Sequence, residues 1–324
     1  MRKITKLIRS DREFLDFLSR MKNTFSSADC LPIAVNGLTG GAETAFLTEA
    51  VFEASRISPS PLLILVESEA ERARITDALR LAGINAVGYK KRDLVFHNIR
   101  ASHDIDRERL SVLSLVLSGG CQAVVSTPSA AAQLTMPSEL LSRLSARLRV
   151  GEIMPPEELS DRLCHLGFAR VDSVESRGQF SRRGGIIDFF GGESDSPVRI
   201  EFFGDEIDRL SYFDPISQRA TYPCDEVEML PAAEVVLDNA TRGRILASID
   251  RLLKSATSDD ARGRLERERA VVDSTLSVDF RDKFLPLIYE NEENLFSYMA
   301  RKGRYICFTL GTNNCLEEIG RAHV

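Results

Sequence analysis

Metal-site and disulfide chemistry is the first thing this sequence lacks. Its six cysteines (Cys30, Cys121, Cys164, Cys224, Cys307, Cys315) are scattered through 324 residues without a CxxC pair, and its four histidines are as dispersed. Such spacing indicates neither a disulfide framework nor a zinc site. Apolar runs long enough to span a bilayer are missing. The opening residues, MRKITKLIRSDREF, hold no apolar stretch of signal-peptide length. A basic excess is missing too: the net charge is −6 and the pI about 5.5. A surface devoted to nucleic acid usually carries a basic footprint. The expectation is a soluble, cytoplasmic protein with no membrane contact. What is present is 43% hydrophobic, enough for two or three compact domains.

The first part of the chain alternates helices and strands. Phe14, Leu15, Phe17, Leu18 and Met21 recur at helical spacing between Asp11 and Phe25. Leu31–Val35 reads as a buried-type strand. It leads into Asn36-Gly-Leu-Thr-Gly-Gly-Ala-Glu-Thr44 and a helix over Glu43–Ala54 with Phe46, Leu47, Ala50, Val51 and Ala54 as its stripe. Strand, Gly-rich loop and helix is the layout of a phosphate-binding loop. Aligned on G-x-x-x-x-G-K-[ST], Ala42 replaces the second glycine and Glu43 the lysine that neutralises the β/γ-phosphates. A carboxylate there repels phosphate, a change of several kcal/mol in a poorly solvated loop (order of magnitude). No DExx-type acidic motif follows a strand. The expectation is a disabled nucleotide site that keeps its shape, with an ordinary turn as the bland alternative.

Strands at Leu62–Glu67, Val87–Tyr89 and Gln122–Ser126 follow, with helices at Glu69–Leu81, Arg107–Leu117, Ser129–Leu134 and Ser138–Leu144. This alternation predicts a parallel α/β sheet. Lys90–Asp106 reads as a polar loop with one aromatic, Phe96, whereas stacking platforms for single strands need several. His97 and His103 are expected to be ordinary loop histidines.

Residues 146–231 change character. A strand over Leu148–Gly151, a Pro155-Pro156 break and a helix over Glu157–Leu166 precede four short strands between Val174 and Gln218, an α+β plan. Ten arginines, no lysine and seventeen acidic residues fall in this span. That balance does not suit DNA phosphates; arginine alone suits fork-like recognition of carboxylates. In Pro197–Phe203 the alternation is clean: Val198, Ile200 and Phe202 on one face, Arg199, Glu201 and Phe203 on the other. An arginine beside a large aromatic is a common make-up for the centre of a protein interface. The spacing fits equally a Phe203 buried under a helix and an Arg199 paired with Glu201 or Asp205. Arg182 and Arg183, before Gly184-Gly185, also fit a solvated turn.

The run Arg177–Arg219 (RGQFSRRGGIIDFF, PVRIEFFGDEID, FDPISQR) resembles the module shared by the excision-repair protein UvrB and the bacterial transcription-repair coupling factors (the Mfd family). In both families this module docks the damage-recognition ATPase UvrA. The resemblance implies docking residues Arg183 and Arg199 as ion-pairing anchors and Phe203 as an apolar plug between them. The missing lysine, the missing aromatic hairpin and SHDIDRERLSVL (Ser102–Leu113) resemble the coupling factors rather than UvrB. The implied fold is a degenerate P-loop, helicase-like parallel-sheet domain split in sequence (1–145 and 232–318). A smaller α+β UvrA-binding domain (146–231) is inserted in it.

The resemblance also implies a role. This region would recruit UvrA to stalled RNA polymerase without hydrolysing ATP and without a cofactor of its own. ATP and magnesium belong to the motor domains of the full-length family member, an ATP-dependent DNA translocase. RNA polymerase and double-stranded DNA contact other parts of it, and a C-terminal domain masks the UvrA site. The alternatives are a UvrB-type ATP-dependent helicase subunit and a free-standing adaptor ending near residue 318. In the second part, Thr241–Leu253 and Asp260–Val272 read as charged helices, and RGRLERERA mixes signs as a solvated helix face does. Asp279–Tyr289 packs aromatics around Pro286; Leu295–Met299 and the strand Tyr305–Leu310 resemble the family's closing α/β unit. Residues 319–324, IGRAHV, match one reading frame of a widely used sequencing-adapter oligonucleotide, so a non-native tail on a longer gene is expected.

Overall fold

Leu62 to Val66 is a run of five aliphatic residues, and all five are buried. A strand covered on both faces has this composition. It is the centre of the computed structural model, which describes residues 7–27, 31–38, 41–92, 103–191, 196–235, 239–274, 288–289, 291–311 and 314–315. Strands run at Leu62–Leu65 (β1), Ala86–Tyr89 (β2), Ala123–Ser126 (β3), Ala146–Arg149 (β4), Ala169–Arg170 (β5), Gln179–Arg183 (β6), Ile186–Phe189 (β7), Val198–Phe203 (β8), Glu206–Phe213 (β9), Ala220–Cys224 (β10), Glu226–Met229 (β11) and Cys307–Thr309 (β12). The chain divides into two units, 1–91 with 112–133 and 294–324, and 92–111 with 134–293.

The first unit is built on a parallel sheet in the order β12-β1-β3-β2. Its helices Arg12–Ser26, Gly41–Ala54 and Glu69–Leu81 bury Phe14, Leu18, Met21, Leu47, Ala50, Val51, Ile75 and Leu79 against β1 and β3. Two of these helices start where side-chain caps allow. Asp11 accepts from the amides of Glu13 and Phe14, and Ser68 Oγ from that of Glu71. The expected parallel α/β sheet is therefore present.

One expected strand is not. Residues 31–38 are irregular, with Leu31 74% and Val35 41% exposed. β1 has β3 on one side and β12 on the other, and Pro32 withholds a ladder donor. The segment has no free edge of β1 to join. The helix after it forms, from Gly41 rather than Glu43.

The second unit holds a six-stranded sheet in the order β10-β9-β8-β7-β6-β5, antiparallel except for β5 on β6. The helix Pro156–His165 lays Leu159 and Leu163 on its inner face, against Phe180, Ile187, Phe189, Val198, Ile200, Ile207 and Leu210. β11 pairs with β4 outside that sheet. The strand expected at Leu148–Gly151 thus starts two residues earlier, at Ala146. Two helices, Asn239–Ser255 and Asp259–Ser274, pack antiparallel on a small core of Val235, Ile245, Ile249, Val272 and Ile288. Because this pair builds its own core inside the second unit, the chain returns to the first unit at Asn294, not at residue 232. Arg262–Ala270 is a partly exposed helix face, as its mixed charges led one to expect.

Beneath this lies a buried ion cluster. Glu234, fully buried, accepts from Arg92 Nη1 at 2.6 Å and from Arg109 Nε. Burial opposes its charge, but the Arg109 and Arg92 guanidiniums overcome that and hold the carboxyl below its usual range. Phe96, His97, most of Asp279–Tyr289 and residues 319–324 lie outside the described residues. His103 opens the helix His103–Ser118, which starts four residues before the expected Arg107. Among the described residues no helix is long and apolar enough to cross a membrane, and no group of three potential metal ligands is found.

Candidate protein-docking site

Residues paired across neighbouring strands share a face of the sheet. The registers place Arg183, Ile186, Glu201 and Arg209 in one lateral row, and Ser181, Asp188, Arg199 and Ser211 in the row beside it. Phe203 pairs with Glu206 one row further on. All three residues expected to dock a partner therefore lie on the outer face, opposite the helix Pro156–His165. They are not arranged as a ring between two guanidiniums. Glu201 separates Arg199 from Phe203 along β8, and Arg183 sits two strands away, roughly 12 Å from Arg199 by strand spacing and rise.

Phe203 is 82% exposed. The arrangement with its ring under a helix is excluded. Its position depends on two features of the β8–β9 hairpin. Gly204 takes φ +63° in the two-residue turn, a conformation that favours glycine. A bulge in β9, where Asp208 is the extra residue, shifts the register between Glu201 and Phe202. The extra residue rephases β9, so that Ile207 still points into the core while Glu206 points out beside Phe203.

Arg199 is engaged within the chain, though not with Glu201 or Asp205. Its Nε and Nη2 donate to Asp188 Oδ1 and Oδ2, both at 2.8 Å, a bidentate pair across β7 and β8. The guanidinium also lies over the Phe213 ring, 4.8 Å from its centroid, and Nη1 donates to the Gln218 carbonyl at 3.2 Å. The hydrogen bond to Asp188 raises the Arg199 pKa above its ordinary value. The FDPISQ segment forms this seat. Asp214 accepts from the amides of Ile216 and Ser217, and Gln218, at φ +57°, ties its side-chain amide to the Val174 and Pro215 carbonyls. Asp188 and Gln218 were missed in the sequence. Asp188 stands inside the apolar run IIDFF, and only the β7–β8 register reveals its partner.

Arg182 and Arg183 end a strand rather than forming a solvated turn. Arg182 pairs with Glu157, whose carboxyl that hydrogen bond holds below the usual range. Arg183 donates through Nε and Nη2 to the Asp172 carbonyl, at 3.2 and 2.9 Å, and stays exposed. With Arg170, Val171 and Asp172 they line an open cleft. A surface with exposed guanidiniums and an exposed ring can bind a protein face that offers carboxylates and an apolar side chain.

The glycine-rich segment was the other candidate. Thr39 and Gly40 lie outside the described residues. Glu43 sits half-buried in the first helical turn, where an acid favours the helix N-terminus. Thr44 Oγ1 accepts from Arg74 Nη1 at 2.8 Å.

Residues 146–234 match the family model of the UvrB interaction domain. The chain is 25% identical over 301 residues to the transcription-repair-coupling factor of Bacillus subtilis (strain 168), an alignment covering 89% of this chain and 24% of that protein. It is 39% identical over 122 residues to the transcription-repair-coupling factor of Myxococcus xanthus, 38% of this chain and 10% of that protein. The UvrABC system protein B of Mycobacterium tuberculosis (strain CDC 1551 / Oshkosh) is 26% identical over 268 residues, 78% of this chain and 36% of that protein. The chain thus spans a quarter or less of the coupling factors named here.

Proposed function

We propose that this chain, similar over most of its length to the UvrB-like N-terminal region of transcription-repair coupling factors, recruits UvrA to stalled RNA polymerase for transcription-coupled excision repair. The observation that carries the reading is Phe203, a large aromatic left in solvent on a sheet face that also holds Arg183 and Arg199. Phe203 supplies the apolar contact. Arg183 pairs with a carboxylate of UvrA. Arg199, already forked onto Asp188, offers its remaining N–H groups and holds the face in shape.

The region itself handles no nucleotide, because Glu43 replaces the phosphate-binding lysine of a degenerate P-loop. ATP, magnesium and double-stranded DNA are work for the motor of the whole cytoplasmic protein, an ATP-dependent translocase, and RNA polymerase binds elsewhere on it. In the whole protein a C-terminal domain covers the UvrA face. The identity to UvrABC system protein B keeps a second reading in view, a UvrB-type ATP-dependent helicase subunit.

Calorimetric titration with UvrA tests the proposal. The chain binds, and Phe203→Ala weakens binding roughly 10-fold or more with the fold intact. An unchanged affinity refutes the assignment. Binding of ATP by the same preparation selects the second reading.

A further inference from the structure

We infer that the docking face continues beyond Phe203 onto the loop Val150–Met154, and that Ile153 contacts the same partner surface as Phe203. The inference rests on the reading of this face as the UvrA-docking surface.

β10 pairs only with the Leu210–Phe213 half of β9. The other half is taken by the loop. Ile153 pairs with Glu206 as an isolated antiparallel bridge; the amides of Ile207 and Met154 donate to the Glu152 and Asp205 carbonyls at 2.9 and 2.7 Å. Gly151 N adds a bond to the Ile207 carbonyl at 2.8 Å. The two flanking bonds make Ile153 and Glu206 a non-hydrogen-bonded pair, the type whose side chains approach most closely. Phe203, Glu206 and Ile153 therefore form one lateral row on the outer face, with the ring and the isoleucine roughly 10 Å apart.

Ile153 is 70% exposed, while its neighbour Met154 turns inward and is buried. Ile186, one row back, is also exposed. A lone exposed isoleucine needs no explanation. Three large apolar side chains on one face, held by a fixed backbone, interleaved with Glu201 and Glu206 and flanked by Arg183 and Arg209, have the mixed make-up of an interface. Glu206 stands between the ring and the isoleucine in the same row, so a single occupant spanning about 10 Å across it meets both. That occupant presents apolar side chains to Phe203 and Ile153, carboxylates to the arginine rim and a basic group to Glu206.

The test is titration of UvrA with the whole chain and four variants: Ile153→Ala, Ile153→Asp, Phe203→Ala and, as a distant control, Leu81→Ala. Leu81 is 79% exposed in the first unit. Expected are losses of about 3- to 10-fold for Ile153→Ala and more than about 10-fold for Ile153→Asp. Leu81→Ala should leave affinity unchanged, and melting temperatures should not move. If Ile153→Asp binds as the parent does while Phe203→Ala is weakened, the inference falls and the docking reading stands. If the parent does not bind UvrA, the docking reading itself falls. A concentration-dependent dimer abolished by Ile153→Asp, with UvrA affinity unaffected, assigns the loop to a second copy and also overturns the inference.

Discussion

Among single residues, Arg199 and Phe203 differ in what their removal reports. Phe203 touches little of its own chain, so its truncation reads binding alone. Among the described residues Arg199 is the ion-pair partner of Asp188, whose carboxylate is buried. Arg199→Ala strands that charge, and breaking such a pair by removing one member costs about 3 kcal/mol or more. The expected outcome is a clear fall in the urea midpoint of Arg199→Ala and almost none for Phe203→Ala. An Arg199→Ala variant as stable as the parent would show that Asp188 finds another donor. Loss of UvrA binding in Arg199→Ala is therefore ambiguous unless stability is measured beside it. The alternation of Val198, Ile200 and Phe202 against Arg199, Glu201 and Phe203 made the face legible in the sequence. It stayed true because the extra residue lies in β9 and not in β8. What a single strand could not reveal was the partner of Arg199, since that depends on the register of the next strand.

At the scale of elements, Glu234 ties separate segments of the second unit together. Arg92 and Arg109 reach it from 92–111, Arg92 also donates to the Leu134 carbonyl at 3.1 Å, and the Tyr289 hydroxyl donates to the Glu234 carbonyl at 2.8 Å. The carboxyl is held below its unfolded value of 4.5. The unfolded chain thus takes up this proton first as pH falls. Stability from the cluster is complete above about pH 4.5 and is lost as pH drops through the lower folded value. Glu234→Gln should cost about 3–5 kcal/mol at pH 7. The gap between parent and variant should narrow as a series of urea titrations moves below pH 4.5, the unfolded value. A gap constant with pH would mean that the folded and unfolded states hold this proton equally. Elements of this kind were poorly legible. β1 and β3 announced themselves as unbroken apolar runs. β10 and β11, spelled TYPC and EVEM at their ends, carry too little apolar pattern to be read as strands. The loop that adds Ile153 to the sheet sits before Pro155-Pro156, where no periodicity exists.

At the scale of the whole molecule, the glycine-rich segment and the exposed sheet face lie in different units. The first unit has a parallel sheet, and its glycine-rich segment has an irregular approach, an acid at Glu43 and Arg74 donating to Thr44. On the proposed function, a further domain of a longer protein that covered this face until its motor engaged would make these 324 residues alone bind UvrA more tightly than that protein at rest. Truncating the covering domain should remove the difference, because a docking face available only a fraction of the time lowers apparent affinity by that fraction. Parallel titrations of UvrA into both proteins measure it. Equal affinities would mean that the face is open in the whole protein, and regulation would then have to act after UvrA has docked.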